Sequence, residues 1–186
     1  MENKKYLPIK IVNMLFIIAA LVMSAMAFVK ADANYSAIAE IAHSLNIFTL
    51  VAGLIYLVYG YKKNAAIYYK IFMGFLMISQ GVLIVELING NTEPPIYTSI
   101  IYAIAFIATV ILTTAKDFGK AMTASIITVL ALCRIAILII NLFSTETFDN
   151  TAFCQLSLDI ANLLLVGTAA IMIAGKYIDK AQRGSK

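Results

Sequence analysis

Residues 120–143 read KAMTASIITVLALCRIAILIINLF. After the opening lysine this stretch carries one charge, Arg134, and neither proline nor glycine. An apolar run of about 20 residues is what a helix needs to cross about 30 Å of hydrocarbon. Inside lipid every backbone N–H and C=O must be satisfied within the protein, which a helix does by itself. The stretch is therefore predicted to be a membrane-spanning helix. A charge at mid-helix costs roughly 2.5–3.5 kcal/mol on insertion scales, so Arg134 needs a reason to be there.

The same reading recurs on both sides of this segment. Long apolar runs fall at 11–29, 38–61, 67–88, 96–115, 120–143 and 152–175. The expectation is an all-α membrane protein, with residues 1–186 forming one integral membrane domain built as a six-transmembrane-helix bundle. Short loops make sequence neighbours antiparallel and adjacent. The sharpest break is NGNTEPP at 89–95, which cannot continue a helix. None of the six runs contains proline, so broken helices with ion-binding unwound backbone have no signature here. Gly74 and Gly81 lie seven apart on one face of the third helix and are expected at a close helix contact. Gly53 and Gly167 also lie well inside runs.

Composition agrees. The chain is 62% hydrophobic and 13% charged, with a mean hydropathy of +0.90, where soluble domains run about 45–50% apolar and about 25% charged. This excludes a soluble enzyme, a disordered tail and a nucleic-acid-binding domain, and no nucleic-acid partner is expected. The basic excess is a topology signal. The segments at 1–10, 62–70 and 116–120 and the tail from Lys176 hold 12 basic and 3 acidic residues. The other connections and helix edges hold Lys30 as their one base, against Asp32, Glu40, Glu86, Glu93, Glu146 and Asp149. Positive loops stay cytoplasmic, so both termini are expected inside. Tyr56, Tyr59, Tyr61, Tyr68 and Tyr69 crowd one interface, as amphipathic rings do. An alternative reading takes Lys4, Lys5, Lys10, the apolar run and Ser24-Ala25-Met26-Ala27 as a signal peptide. Cleavage would then leave five helices and an external amino terminus. A weak echo at a shift of 54 residues places the third helix on the fifth, a pattern that chance in low-diversity apolar sequence, plain antiparallel hairpins or a repeat-built transporter would each produce.

The counts limit chemistry. One histidine, His43, and two separated cysteines, Cys133 and Cys154, do not supply the three or four ligands of a zinc site. No C-x-x-C, G-x-S-x-G, Walker A or G-x-G-x-x-G is present. No metal, cofactor or enzyme activity is expected. An intramembrane enzyme using Asp159 with Glu40, His43 or Glu86 would lack a nucleophile.

Polar residues inside the runs are more informative. Counted from the outer ends at about 1.5 Å per residue, Arg134 lies roughly 14 Å deep and Asp159 roughly 11 Å deep. The pair is expected to meet or to share a polar cavity. Gln155, Asp159 and Asn162 fall on one stripe of the sixth helix. Thr123, Arg134 and Asn141 align within about 20° on the fifth. Glu40, His43 and Ser44 lie near the outer end of the second helix, Gln80 and Glu86 on the third. Apart from Thr123, these fall in the outer half of the membrane or at its middle and describe a cup open to the outside. The candidate ligand-binding set is Arg134, Asp159, Asn162, Gln155, Gln80, Asn141, Glu40 and His43. The competing account is structural: an Arg–Asp pair with Gln and Asn as interhelical glue, Cys133 as a small apolar residue and Cys154 as a free thiol. Ala19, Ala20, Ser24, Ala25 and Ala27 on the first helix admit a close neighbour, either internal or a separate membrane-protein subunit.

Six short-looped helices, internal termini, a polar pocket in the outer half and an alanine-rich first helix resemble the substrate-binding subunits of energy-coupling-factor vitamin transporters. The likeness is architectural, spans the whole chain and rests on no signature residue. It implies a membrane subunit that captures a small molecule from outside and docks on an ATP-driven module. The expected function is binding or transport of a small molecule or ion; the alternative is a non-catalytic membrane scaffold, interaction or regulatory protein. The Ile-, Lys- and Asn-rich composition suggests a bacterial plasma membrane.

Overall fold

The computed structural model describes residues 7–30, 36–59, 65–89, 96–114, 119–145 and 147–183. Six helices follow one another: α1 (Leu7–Lys30), α2 (Ala37–Tyr59), α3 (Ala65–Asn89), α4 (Ile96–Thr114), α5 (Lys120–Ser144) and α6 (Asn150–Arg183). Among the described residues there is no strand. All six helices are long and apolar enough to cross a membrane. The helix starts and ends lie close to those expected, except that α6 continues to Arg183, past the expected end at 175. Beyond Gly175 the residues KYIDKAQR are polar but include no proline, so nothing breaks the helix as it leaves the apolar zone. Residues 90–95, which hold most of the NGNTEPP break, and the loop charges Asp32, Lys62, Lys63, Glu93, Lys116, Asp117 and Glu146 lie outside the described residues.

The helices close into a ring in chain order, α1 to α6 and back to α1, and α2 also reaches α6 across the ring. The α6 span is 67% buried and the α5 span 17%, so α6 is the hub and α5 an outer wall. Contacts at both ends fix antiparallel neighbours. On α2 and α3, Ser36 meets Glu86 at one end and Tyr56 meets Tyr69 near the other. On α3 and α4, Gly81 faces Phe106 and Met77 faces Thr113.

Helices α1 and α6 pack along a long seam. Asn13, Ile17, Ala20, Ser24 and Ala27 are all 0% exposed. Their alternating spacing of four and three is the 3.5-residue period that keeps one helix face on its partner. Cys154 Sγ donates to the Ala27 carbonyl at 3.3 Å. Continuing that antiparallel register sets Ser157 against Ser24, Ala161 against Ala20 and Thr168 against Asn13. The small residues of α1 at 20, 24 and 27 thus have an internal neighbour, whereas Ala19 and Ala25 face outward.

Glycine placement differs from expectation. Gly74 has no heavy atom within 4 Å of where a Cβ would stand, and Gly81 has an ordinary 3.5 Å contact. The close approaches are elsewhere. A Cβ at Gly167 would lie 2.6 Å from the Phe16 ring, and one at Gly53 3.1 Å from Phe72. Phe16 and Phe72 fill the grooves that these glycines open.

The outward surface is hydrocarbon. Leu15, Val22, Val29, Ile78, Ile100, Ile107, Leu132 and Phe143 are exposed, which suits lipid as the surrounding solvent. Tyr56, near the end of α2, is 5% exposed, its ring 5.7 Å from that of Tyr69.

Candidate functional site

Polar side chains gather between α2, α3 and α6, and again between α4, α5 and α6. In the first group Ser79 Oγ donates to Asn46 Oδ1 at 2.6 Å. Asn162 Oδ1 accepts from Gln80 Nε2 at 3.2 Å and, at 3.5 Å, faces Asn46 Nδ2. The Asn162 amide donates to the Leu158 carbonyl of its own helix at 2.9 Å. All four side chains are no more than 1% exposed. Asn162 is the hinge of this network, since one carbonyl oxygen with two lone pairs can serve two donors. Gln80 Oε1 alone has no hydrogen-bond partner.

In the second group Arg134 is 1% exposed and Asp159 2%. Their burial follows from the periodicity of α5, where Thr123, Leu130, Arg134 and Ile137 form the inward face. Asn141 continues that face and donates to Asp159 Oδ2 at 2.6 Å. The Tyr102 ring of α4 lies 5.6 Å from the Arg134 guanidinium carbon, near enough for the ring face to attract the cation.

Of the two expected arrangements, a direct pair or a shared polar cavity, Arg134 and Asp159 do not form the direct pair. They act on each other electrostatically, but no nitrogen–oxygen contact within 4.0 Å joins them. The reason is register. Asp159 is held by Asn141, seven residues and about two turns along α5 from Arg134. Arg134 Nε and Nη1 are buried and without a hydrogen-bond partner. Among the described residues none donates to, accepts from or ion-pairs with the guanidinium. A buried cation left so is costly, because its hydration is lost and the Tyr102 ring accepts no hydrogen bond from Nε or Nη1 in its place.

The other candidates lie apart from this pair. His43 is 1% exposed, hydrogen-bonded to the Cys154 backbone and set 5.9 Å from the Phe28 ring. It therefore ties α2 to α1 and α6. Glu40 is half-buried, and its carbonyl accepts from Ser44. Gln155 is half-buried and joins neither network. Glu86 accepts from Ser36, 2.7 Å away, near the start of α2. Neither cysteine is in a disulfide. Among the described residues no three His, Cys, Asp or Glu side chains gather where a metal could be held.

The expected open cup is also corrected. Arg134, Asp159, Asn162, Gln80 and His43 are each at most 2% exposed, so their polar groups are enclosed by the bundle. An open hollow of about 410 Å³ lies elsewhere, between Lys30, Phe148, Asp149, Asn150 and Phe153. It is at the same end of the bundle as the start of α6, not around Arg134.

Compared with protein-family models, characterised proteins and solved structures, the chain matches none of them. Function must be read from the side chains themselves.

Sequence reading missed Asn46, Ser79, Tyr102 and Asn13. Asn46 and Ser79 are short polar residues at mid-run, and their membership depends on which faces α2 and α3 turn to each other. Tyr102 looks like an interfacial ring until α4 is placed beside Arg134. Asn13 lies 0% exposed, with neither side-chain atom hydrogen-bonded. Its polar amide within the first apolar run was the available signal.

Proposed function

We propose that this multi-pass membrane protein binds and transports a small molecule or ion through a polar pocket centred on Arg134 and Asp159. One observation carries the proposal: a buried guanidinium whose Nε and Nη1 have no hydrogen-bond partner and which makes no ion pair among the described residues. A purely structural arginine would gain most by docking on Asp159, and here Asp159 Oδ2 accepts from Asn141 while the Nε and Nη1 donors of Arg134 stay open. Open donors inside a closed bundle suit a ligand that arrives and leaves. With both termini cytoplasmic, as the distribution of positive residues favours, the Asp159 side of the pocket faces outward. Because the groups are enclosed, entry requires a movement of helices, and the lightly buried α5 wall is the element with least to lose. The bacterial plasma membrane is the proposed location. Docking on an energy-supplying partner belongs to the same proposal by architectural analogy alone.

The second reading is a membrane scaffold or interaction protein. It is favoured by the network of Asn46, Ser79, Gln80 and Asn162, whose bonds join three helices as interhelical glue would. Helix α1 is then a surface for another membrane protein.

Arg134→Ala separates the two. Under the transport reading the variant still inserts and purifies but loses ligand-induced thermal stabilisation and uptake into proteoliposomes. If the variant instead unfolds, and Arg134→Asp combined with Asp159→Arg restores both fold and activity, the pair is structural and the proposal fails.

A further inference from the structure

The charges in the pocket specify a class of ligand. This inference rests on the transport reading above and adds to it. One guanidinium and one carboxylate are enclosed together, so the formal charge of the pocket is already zero. A simple anion on Arg134 would leave the pocket negative, with Asp159 repelling it through a medium of low dielectric. A doubly charged phosphate would be worse. A simple cation on Asp159 would leave Arg134 as unpaired as before. A solute with a carboxylate at one end and an ammonium at the other leaves the pocket neutral and gives each buried charge a partner.

The donors and acceptors agree. Arg134 offers Nε and Nη1, both without a hydrogen-bond partner, and a guanidinium suits carboxylate geometry. Asp159 spends Oδ2 on Asn141, and an ionised carboxylate has lone pairs for further donors. Arg134 and Asp159 are both buried and the Nε and Nη1 of Arg134 make no hydrogen bond, so a ligand that joins the two groups breaks no bond already made between them. Leu130 and Ile137 lie about one turn either side of Arg134 on the inward face of α5, and both are 0% exposed.

We infer that the ligand is a small zwitterion of the amino-acid type, its carboxylate on Arg134 and its ammonium on Asp159. The full chain in lipid nanodiscs is titrated with 4-aminobutyrate, butyrate and butylamine, and with glycine, acetate and methylamine, while thermal unfolding is followed. Inorganic phosphate and chloride are included as plain anions. In at least one series the zwitterion is expected to raise Tm at a concentration at least tenfold below that needed by the matching acid or amine. Asp159→Asn is expected to invert the order, so that the plain carboxylate becomes the better ligand. A purely structural role for Asp159 would not produce that inversion. If the plain acids, phosphate or chloride stabilise the wild type better than the zwitterions, and do so through Arg134, the zwitterion class is wrong while the transport reading stands. If no probe changes Tm, in wild type or in Asp159→Asn, the zwitterion inference is overturned. The transport reading is then judged separately by Arg134→Ala in proteoliposomes.

Discussion

Asn46, Ser79, Gln80 and Asn162 between α2, α3 and α6, and Arg134 with Tyr102, Asn141 and Asp159 between α4, α5 and α6, face the same physical demand. Both groups are withheld from water, where every polar atom needs a partner. The first group meets the demand internally: four neutral side chains are linked through Asn162, and only Gln80 Oε1 is left over. The second does not, because Asn141 takes the carboxylate and the guanidinium keeps its donors. Neutral amides can act as both donor and acceptor, so a cluster of them closes on itself. A guanidinium only donates, so it closes only on an acceptor placed opposite it. The difference separates a group that holds helices together from one that awaits a partner.

The comparison can be broken most directly at Asn162. Asn162→Leu strands the Gln80 and Asn46 amides and is expected to cost about 2 kcal/mol, lowering Tm by roughly 4–8 °C. A change under 1 °C would mean that the amide network is not cohesive. The opposite sign is expected in the second group. Arg134→Met with Asp159→Asn removes both buried charges and keeps an acceptor for Asn141. Stability should rise by about 1 kcal/mol, seen as a Tm roughly 2–4 °C higher, while ligand response is lost. A marked fall in Tm would show that the charges hold the fold. Ser79→Ala deletes one 2.6 Å bond and should cost about 1 kcal/mol, measured by the same melt. The smallest effect is expected at Cys154→Ala, which removes a weak thiol donor at the α1–α6 seam. It should change stability by under about 0.5 kcal/mol, and a larger loss would make that thiol part of the seam's cohesion.

Much of this was legible in residue order. The inward face of α5, with Thr123, Arg134 and Asn141 in line, follows from helical periodicity, and so does the Asp159–Asn162 stripe of α6. Gly74 and Gly81 share a face as expected, yet neither makes the close contact. Space at a glycine depends on whether an opposing ring such as Phe16 or Phe72 fills it, and the glycine's own helix carries no record of that.

Six apolar helices, the polar faces of α5 and α6 and the presence of two opposite charges within the apolar runs were determined by local pattern alone. Hydrophobic run length and the 100° step are properties of one segment at a time. The offset between α5 and α6 is not. It sets Asn141 rather than Arg134 against Asp159, and it arises from the packing of whole helix surfaces, including the glycine clefts and the α1–α6 seam. A slide by two turns would leave each helix pattern unchanged and alter which side chains meet. Only the tertiary structure, by fixing that slide, decided that Nε and Nη1 of the arginine stand without a hydrogen-bond partner.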